Sequence, residues 1–292
     1  MAFEGMLAKA GDADLLDQYQ QDGFSVEPKF DGIRFLLYIK DGTVEKLISR
    51  GMIDDAEKYP FLDGVFNLQG ETVFDGEMVV LKNSCMWLND LPALQSINGS
   101  LPEKARSRCQ EHNVRFIIFD VLKYEDTDLR GSEYWVRKGI LTNILDNRKE
   151  LNFPKEIIFT GDAFYNCKGF YNNIVSSGGE GVMLKHKNSL YKRGRFSTWL
   201  KIKHTETAIG QMVASTPGKG RNAGLVGSII VVGTESGEKF KGCFGAMSDV
   251  MRKDFSDENG KLKKEWVGTR VLVRYYPGGV KALRHCTLVK IL

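Results

Sequence analysis

Apolar and polar positions alternate through the first two hundred residues in a way that marks strands. "FSVEPKF" and "IRFLLYIK" read as strands around an Asp-Gly-Ile turn. "KDGTVEKLISR" adds a hairpin with Asp41-Gly42 at its tip, a pair that tolerates the left-handed backbone of a two-residue turn. "ETVFDGEMVVLK" is strand-like and reads as broken at Asp75-Gly76. "VRFIIFDVLKY" is almost continuously apolar, the pattern of a strand buried on both faces. "KEIIFTGDAF", "GVMLKHK" and "STWLKIKH" are further strands. Helical patterning appears in "ADLLDQYQQDG", closed by Gly23, in residues 91–111, in "SEYWVRKGILTNILDN", and in "FYNNIVSSGGEG", which ends at Gly178-Gly179.

The texture changes after His204. Short strands separated by glycine-rich turns follow, in "AIGQMVASTPGKGRNAGLVGSIIVVG", "EKFKGCFG", "TRVLVRYYPGG" and "LRHCTLVKIL". That is the pattern of a small β-barrel or sandwich. A boundary is expected between Lys203 and Thr207, giving domains over 1–204 and 205–292 joined by a short hinge. The whole is an α+β chain.

Composition narrows the classes. A chain of 292 residues can bury one large core or two smaller ones. No apolar run is long enough to span a bilayer, and the acidic start lacks the basic region of a signal peptide. The expected location is therefore the cytoplasm. Five scattered cysteines form no CxxC pair, which speaks for free thiols and against a disulfide framework or zinc ribbon. The net charge of +4 neither announces a nucleic-acid binder nor excludes one whose basic residues gather on one face.

The chemistry is carried by short motifs. "EPKFDGIR" sets Lys29, Asp31, Gly32 and Arg34 around a turn. Alone, such a lysine is most often a solvated charge. It can also be a nucleophile that forms a phosphoramidate, provided its site favours the neutral amine over the free form with pKa near ~10.4. Asp31 would orient the amine or meet a metal, and Gly32 would let a phosphate approach. "SRG" follows with Arg50, "DGE" with Glu77, "FD" with Phe119, "EGVM" with Glu180 and Met183, and "KIK" with Lys201 and Lys203. In a strand the last two share one face. Each motif has a bland reading: an exposed hairpin arginine, a solvated carboxylate, a core aromatic, a solvated lysine pair. No P-loop or dinucleotide-binding fingerprint is present.

The ordered set K-x-D-G-x-R, S-R-G, D-G-E, F-D, E-G-x-M, K-x-K resembles the ATP-dependent DNA ligases of the covalent nucleotidyltransferase superfamily, in particular the small phage-type and viral enzymes. The resemblance covers nearly the whole chain and implies an ATP-grasp-like nucleotidyltransferase domain followed by an OB-fold β-barrel. It implies Lys29 as the residue that takes AMP, with Asp31, Lys201 and Lys203 as its catalytic companions. Glu27 would recognise the adenine amino group. Arg34 and Arg50 would order phosphates, Glu77 would meet the ribose, Phe119 would stack on adenine, and Met183 would complete the nucleotide pocket. Glu180, with Glu77, would hold Mg²⁺ or Mn²⁺. The implied partner is nicked duplex DNA, met by a monomer.

The basic stretch "LKHKNSLYKRGRFSTWLKIKH" offers Lys185, Lys187, Arg193 and Arg195 to a phosphate backbone beside Arg50. Lys219 and Arg221 in "PGKGRNAGLVGS" are either DNA contacts or exposed charges of a plain turn. Larger relatives carry an N-terminal DNA-binding domain. Only a short segment precedes Lys29, so the two core domains are expected to hold the nick, with residues 83–110 as a candidate aid. The end of the chain resembles the start of a C-terminal family motif and stops before its final Asp-Lys, leaving Arg284 and Lys290 as the basic residues there. The same lysine motif serves mRNA capping guanylyltransferases and RNA ligases. A catalytically silent nucleic-acid-binding module is the non-enzymatic alternative.

Overall fold

The computed structural model describes residues 5–83, 85–160, 166–235, 238–276 and 282–292. The chain divides into two compact units, Met1–Lys203 and His204–Leu292. No helix among the described residues is long and apolar enough to cross a membrane.

The first unit is built on β1 (Met6–Ala10), β2 (Phe24–Pro28), β3 (Ile33–Lys40), β4 (Thr43–Ser49), β5 (Glu71–Lys82) and β6 (Cys85–Asn89). It continues with β7 (Val114–Tyr124), β8 (Thr127–Asp128), β9 (Ile157–Phe159), β10 (Gly181–His186) and β11 (Gly194–Lys203). Its helices are α1 (Leu16–Gln21), α2 (Leu91–Asn98), α3 (Pro102–Glu111), α4 (Tyr134–Asp146) and α5 (Cys167–Ser176). β1, β11, β10 and β2 form one sheet in that order. A larger sheet runs β4, β3, β5, β7, β8, with β6 and β9 on its flanks.

The period of two along each strand sorts the side chains. In the smaller sheet Val26, Val182, Leu184, Leu200 and Ile202 turn one way and pack with Leu16, Cys167 and Ile174. In the larger sheet Phe35, Leu37, Ile39, Phe74, Met78, Phe116 and Ile118 do the same with Leu94, Ile97, Leu141 and Ile144. The opposite faces of the two sheets meet through Met6, Leu36, Val73, Leu122, Tyr191 and Trp199. Polar residues of both sheets therefore face one another across a cleft.

Most sequence-predicted elements recur, and the differences have physical causes. The Asp41-Gly42 turn has the expected left-handed backbone, with φ of 45° and 78°. β5 is not broken at Asp75-Gly76. It pairs with β3 without interruption from Glu71 to Met78. The irregularities belong to β7: pairing passes from Asp75↔Asp120 to Gly76↔Ile118, leaving Phe119 with no residue opposite, and from Val73↔Lys123 to Phe74↔Val121, which skips Leu122. β1 has no counterpart in the sequence reading. It pairs in parallel with β11, which itself begins at Gly194, inside the stretch read as a basic loop. Of "KEIIFTGDAF", β9 covers Ile157–Phe159, and residues 161–165 lie outside the described residues.

The second unit holds β12 (Glu206–Pro217), β13 (Val226–Glu235), β14 (Glu238–Phe244), α6 (Asp249–Phe255), β15 (Arg270–Tyr276) and β16 (Arg284–Ile291). The strands form one antiparallel sheet in the order β14, β13, β12, β15, β16. A parallel bridge from Lys241 to Ala282 and a bond from the Leu283 amide to the Lys241 carbonyl (2.9 Å) bring the two edges of the sheet together. Met212, Ile229, Val231, Phe244, Phe255, Val271 and Val273 fill its core. α6, capped by Ser248 Oγ on the Met251 amide, was not legible in the strand-rich pattern.

Candidate active site

Lys29 sits in the turn between β2 and β3, and its amide donates to the Gly181 carbonyl at 2.9 Å. That bond ties the turn to the start of β10. Gly32 is needed for a different reason than phosphate access: a Cβ there would lie 2.1 Å from the Met78 carbonyl oxygen of β5. Gly181 meets β11 in the same way, at φ 135° and with the Ile202 carbonyl 2.1 Å from a built Cβ. The two glycines let the backbones close in around Lys29.

The Lys29 ammonium is paired with Glu180 Oε2, and both side chains are about one-fifth exposed. Lys203 Nζ takes the other oxygen, Glu180 Oε1, at 2.6 Å. One carboxylate thus bridges the first and last motifs of the unit. Lys201 is opposite Met183 in the β10–β11 register, and Met183 is opposite Glu27 in the β10–β2 register. Three strands deliver these side chains to one row on the cleft face. Burial holds the Lys201 ammonium below its usual range, reinforced by the charges of Lys203, Arg195 and Lys29.

Beside Lys29 opens a cavity of about 240 Å³. Glu27, Lys29, Arg34, Arg50, Glu77, Phe119, Met183 and Lys201 line it, and so does Arg195, which was expected at the nucleic-acid backbone, whereas Lys203 is not among the lining residues. Trp199 and Lys185 complete the wall. Asp31 is not part of the lining; it is half-buried in the turn, where its amide donates to Asn89 Oδ1 at 3.0 Å. Phe119, at one of the two skipped positions of β7, turns its ring into this space.

Arg34 is fixed from several sides. It donates twice to Asp75, at 2.8 Å and 2.5 Å, and once to the Met6 carbonyl at 2.6 Å. Tyr191 donates to the same Asp75 at 2.5 Å. Asp75 is fully buried, so this bidentate pair fixes the guanidinium and leaves its face near the Phe119 ring, 5.3 Å from the centroid. Neither Asp75 nor Tyr191 was assigned a role from the sequence. A charged residue inside the buried run "ETVFDGEMVVLK" was the available signal.

Glu27 is also buried and fully engaged. Tyr134 donates to Oε1 at 2.5 Å, Lys138 donates to the same oxygen, and Lys185 pairs with Oε2 at 2.6 Å. Burial would raise its pKa, but the two ammonium groups outweigh burial and hold it at about 2. Lys185, expected on a nucleic-acid surface, is instead buried at 1% exposure, 4.5 Å from the ring centroids of both Phe119 and Trp199. Its place on the inward face of β10 gives it to the cavity. Lys187, Arg193 and Arg195 are exposed, and Arg195 donates to the Ala8 carbonyl. Lys219 and Arg221 are exposed in the β12–β13 connection. In residues 83–110 both arginines are held at the surface by the protein itself: Arg106 pairs with Asp63, and Arg108 bonds Ser96 and Ser100. These two arginines are engaged within the protein itself.

The Glu77 carboxyl is pushed up to about 7, by burial first, with Lys29 and Arg34 opposing and Asp75 and Glu180 reinforcing. An acid with a raised pKa holds its proton more tightly in the folded state. The resulting stabilisation is complete below its ordinary value near 4.5 and is lost as pH rises through 7. Glu77→Gln should therefore melt with the wild type near pH 4 and be more stable by ~1–3 kcal/mol at pH 8. Equal melting at both pH values would contradict the burial described here.

Residues 5–203 match the family described as the ATP dependent DNA ligase domain. The chain belongs to that family. Its ligase domain is 30% identical over 210 residues to a DNA ligase of Methanococcus aeolicus, covering 69% of this chain and 36% of the relative. It is 26% identical over 187 residues to the SPbeta prophage-derived DNA ligase-like protein LigB of Bacillus subtilis, covering 64% and 63%. A solved Lig E DNA ligase superposes over 100% of both chains with a TM-score of 0.70 at 23% identity, which shows a shared fold. The chain thus spans about a third of the length of the archaeal relative it matches.

Proposed function

We propose that the protein seals nicks in duplex DNA at the expense of ATP. The observation that carries this reading is the bridge Lys29–Glu180–Lys203 beside a cavity lined by Glu27, Phe119, Arg34 and Lys201. Lys29 Nζ attacks the α-phosphate of ATP. An N–P bond forms, the bond to the leaving pyrophosphate breaks, and the amine gives up its proton. Lys201 and Lys203 face the charge that builds on the phosphate. AMP then passes from Lys29 to the 5′-phosphate of the nick, and the 3′-hydroxyl displaces AMP as the backbone closes. Holding the reacting groups in line accounts for much of such catalysis. Glu27, kept ionised, accepts a hydrogen bond from the adenine amino group and disfavours the carbonyl of guanine, which speaks against a capping guanylyltransferase.

Two carboxylates, Glu180 and Glu77, would hold a divalent cation, Glu180 in exchange for its pairs with Lys29 and Lys203. Glu180 and Glu77 act on each other's charge next to Lys29, and Mg²⁺ is commonly held by one or two carboxylates together with substrate phosphates. Bound to Glu180 and Glu77, Mg²⁺ or Mn²⁺ would supply positive charge to the α-phosphate.

The second unit supports an OB-fold reading. Five antiparallel strands bring their edges together, and α6 falls between the third and fourth of them. In this reading the adenylyltransferase domain covers 1–204 and the OB-fold 205–292, and the protein acts as a monomer. Arg50, Lys187, Arg193, Lys219 and Arg221 are the exposed cations offered to the DNA backbone.

The test is a singly nicked duplex incubated with ATP and Mg²⁺ and resolved on a denaturing gel. Joined product is expected, with a yield that falls as salt rises because backbone contacts release counterions. A gel showing neither joined strand nor AMP-bearing protein would reject the proposal.

A further inference from the structure

Two side chains that do not line the cavity hold its most buried carboxylate. Lys138 and Tyr134 lie on α4 and border a separate groove of about 1000 Å³ that contains none of the nucleotide motif residues. Both nevertheless donate to Glu27 Oε1. Lys138 Nζ also donates to Thr160 Oγ1 at 2.8 Å, and that hydroxyl donates to the Ile118 carbonyl at 3.3 Å. The ammonium is thereby fixed between the two sheets' strands. Lys185 takes one lone pair of Glu27 Oε2 at 2.6 Å.

An ionised carboxylate offers about four lone-pair positions. Three are filled by Tyr134, Lys138 and Lys185, and the position left is on Oε2. Glu27 borders the cavity. Its one remaining acceptor is then oriented by donors that no nucleotide needs to touch. We propose that Lys138 and Tyr134 are positioning residues for base selection: by anchoring Glu27 Oε1 from α4, they present Oε2 as an acceptor that favours an adenine amino group over a guanine carbonyl. The inference rests on the proposed transfer of a nucleotide to Lys29 and extends it to residues outside the pocket.

This accounts for a pattern the mechanism leaves unused. The buried positions of α4 are Tyr134, Arg137, Lys138, Leu141 and Ile144, so two cations occupy its core-facing stripe. Arg137 serves Asp120. Lys138 serves Glu27, on a different strand of the other sheet, and so links the helix directly to the selecting carboxylate. A lysine here for packing alone would be a poor choice, since burying its charge needs a partner.

The full chain carrying Tyr134→Phe or Lys138→Met is labelled with ATP or GTP bearing the α-phosphate label, and transfer to Lys29 is followed over a range of nucleotide concentrations. Both variants should lower the preference for ATP over GTP by ~10-fold or more, the scale on which sites built from hydrogen bonds discriminate. The change should fall on KM for ATP, while the rate at saturating ATP moves less than threefold. Tyr134→Phe keeps the ring and both ammonium partners, so it reports even if Lys138→Met fails to fold. An unchanged ratio in folded Tyr134→Phe overturns the proposal. So does a loss confined to the saturated rate. Absence of label from the wild type overturns the underlying reading of Lys29 as well, which separates the two failures.

Discussion

Replacing Lys29 by alanine should reduce transfer of labelled AMP to the protein by roughly 10⁴-fold or more, the scale on which removing a covalent nucleophile acts. The measurement is incorporation of α-phosphate label resolved by denaturing electrophoresis. Lys29→Arg sharpens the result. Arginine can keep the ion pair with Glu180, but its guanidinium does not lose a proton in proteins. Both variants should therefore fail, although only one removes the charge. Since Lys203 still pairs with Glu180 at 2.6 Å in either variant, the fold should survive. Label retained by Lys29→Ala would place the nucleophile elsewhere. Label retained by Lys29→Arg alone would make position 29 an electrostatic partner.

The second large effect concerns stability. Arg137 and Asp120 are both at 0% side-chain exposure and share two bonds, of 2.7 Å and 2.9 Å. Arg137 also donates to the Ser132 and Ser189 carbonyls. Asp120→Ala leaves that guanidinium buried without its counter-charge, which costs about 3–5 kcal/mol. In a domain of this size that corresponds to a fall in Tm on the order of 10 °C. Scanning calorimetry on the purified variant gives the answer. The double variant Asp120→Leu, Arg137→Met should recover much of the loss, because removing both charges also removes the desolvation penalty. A single variant that melts with the wild type would mean the pair contributes nothing to holding α4 on β7.

The hydrophobic period made most strands legible, because each sheet has one face in an apolar core. "IRFLLYIK" became β3 residue for residue, and the Asp41-Gly42 turn followed from backbone preference. β1 escaped because a short parallel edge strand carries little alternation of its own and depends on β11 for pairing. Among site residues, those in local motifs were readable: Lys29, Glu77, Phe119 and Lys201 line one cavity. The residues that hold them were not. Asp75, Tyr191, Tyr134 and Lys138 act across separations of 41 to 157 positions, and a periodicity argument does not see such distances. Lys185 was misplaced for the same reason. Its neighbours in sequence are exposed cations, while its neighbours in space are Glu27 and two aromatic rings.

The unpaired Phe119 has a consequence for how β7 can change over time. A chain one residue shorter at this point would pair with β5 more regularly, because the ladder would no longer step over a position. It would keep Asp120 opposite Asp75 and leave the later side chains on their present faces, because only the extra residue is removed. What it would lose is the ring that the extra residue turns into the cavity. The tidier sheet lacks that aromatic wall, so the length of this segment bears on the site and leaves the packing of the rest of the strand in place.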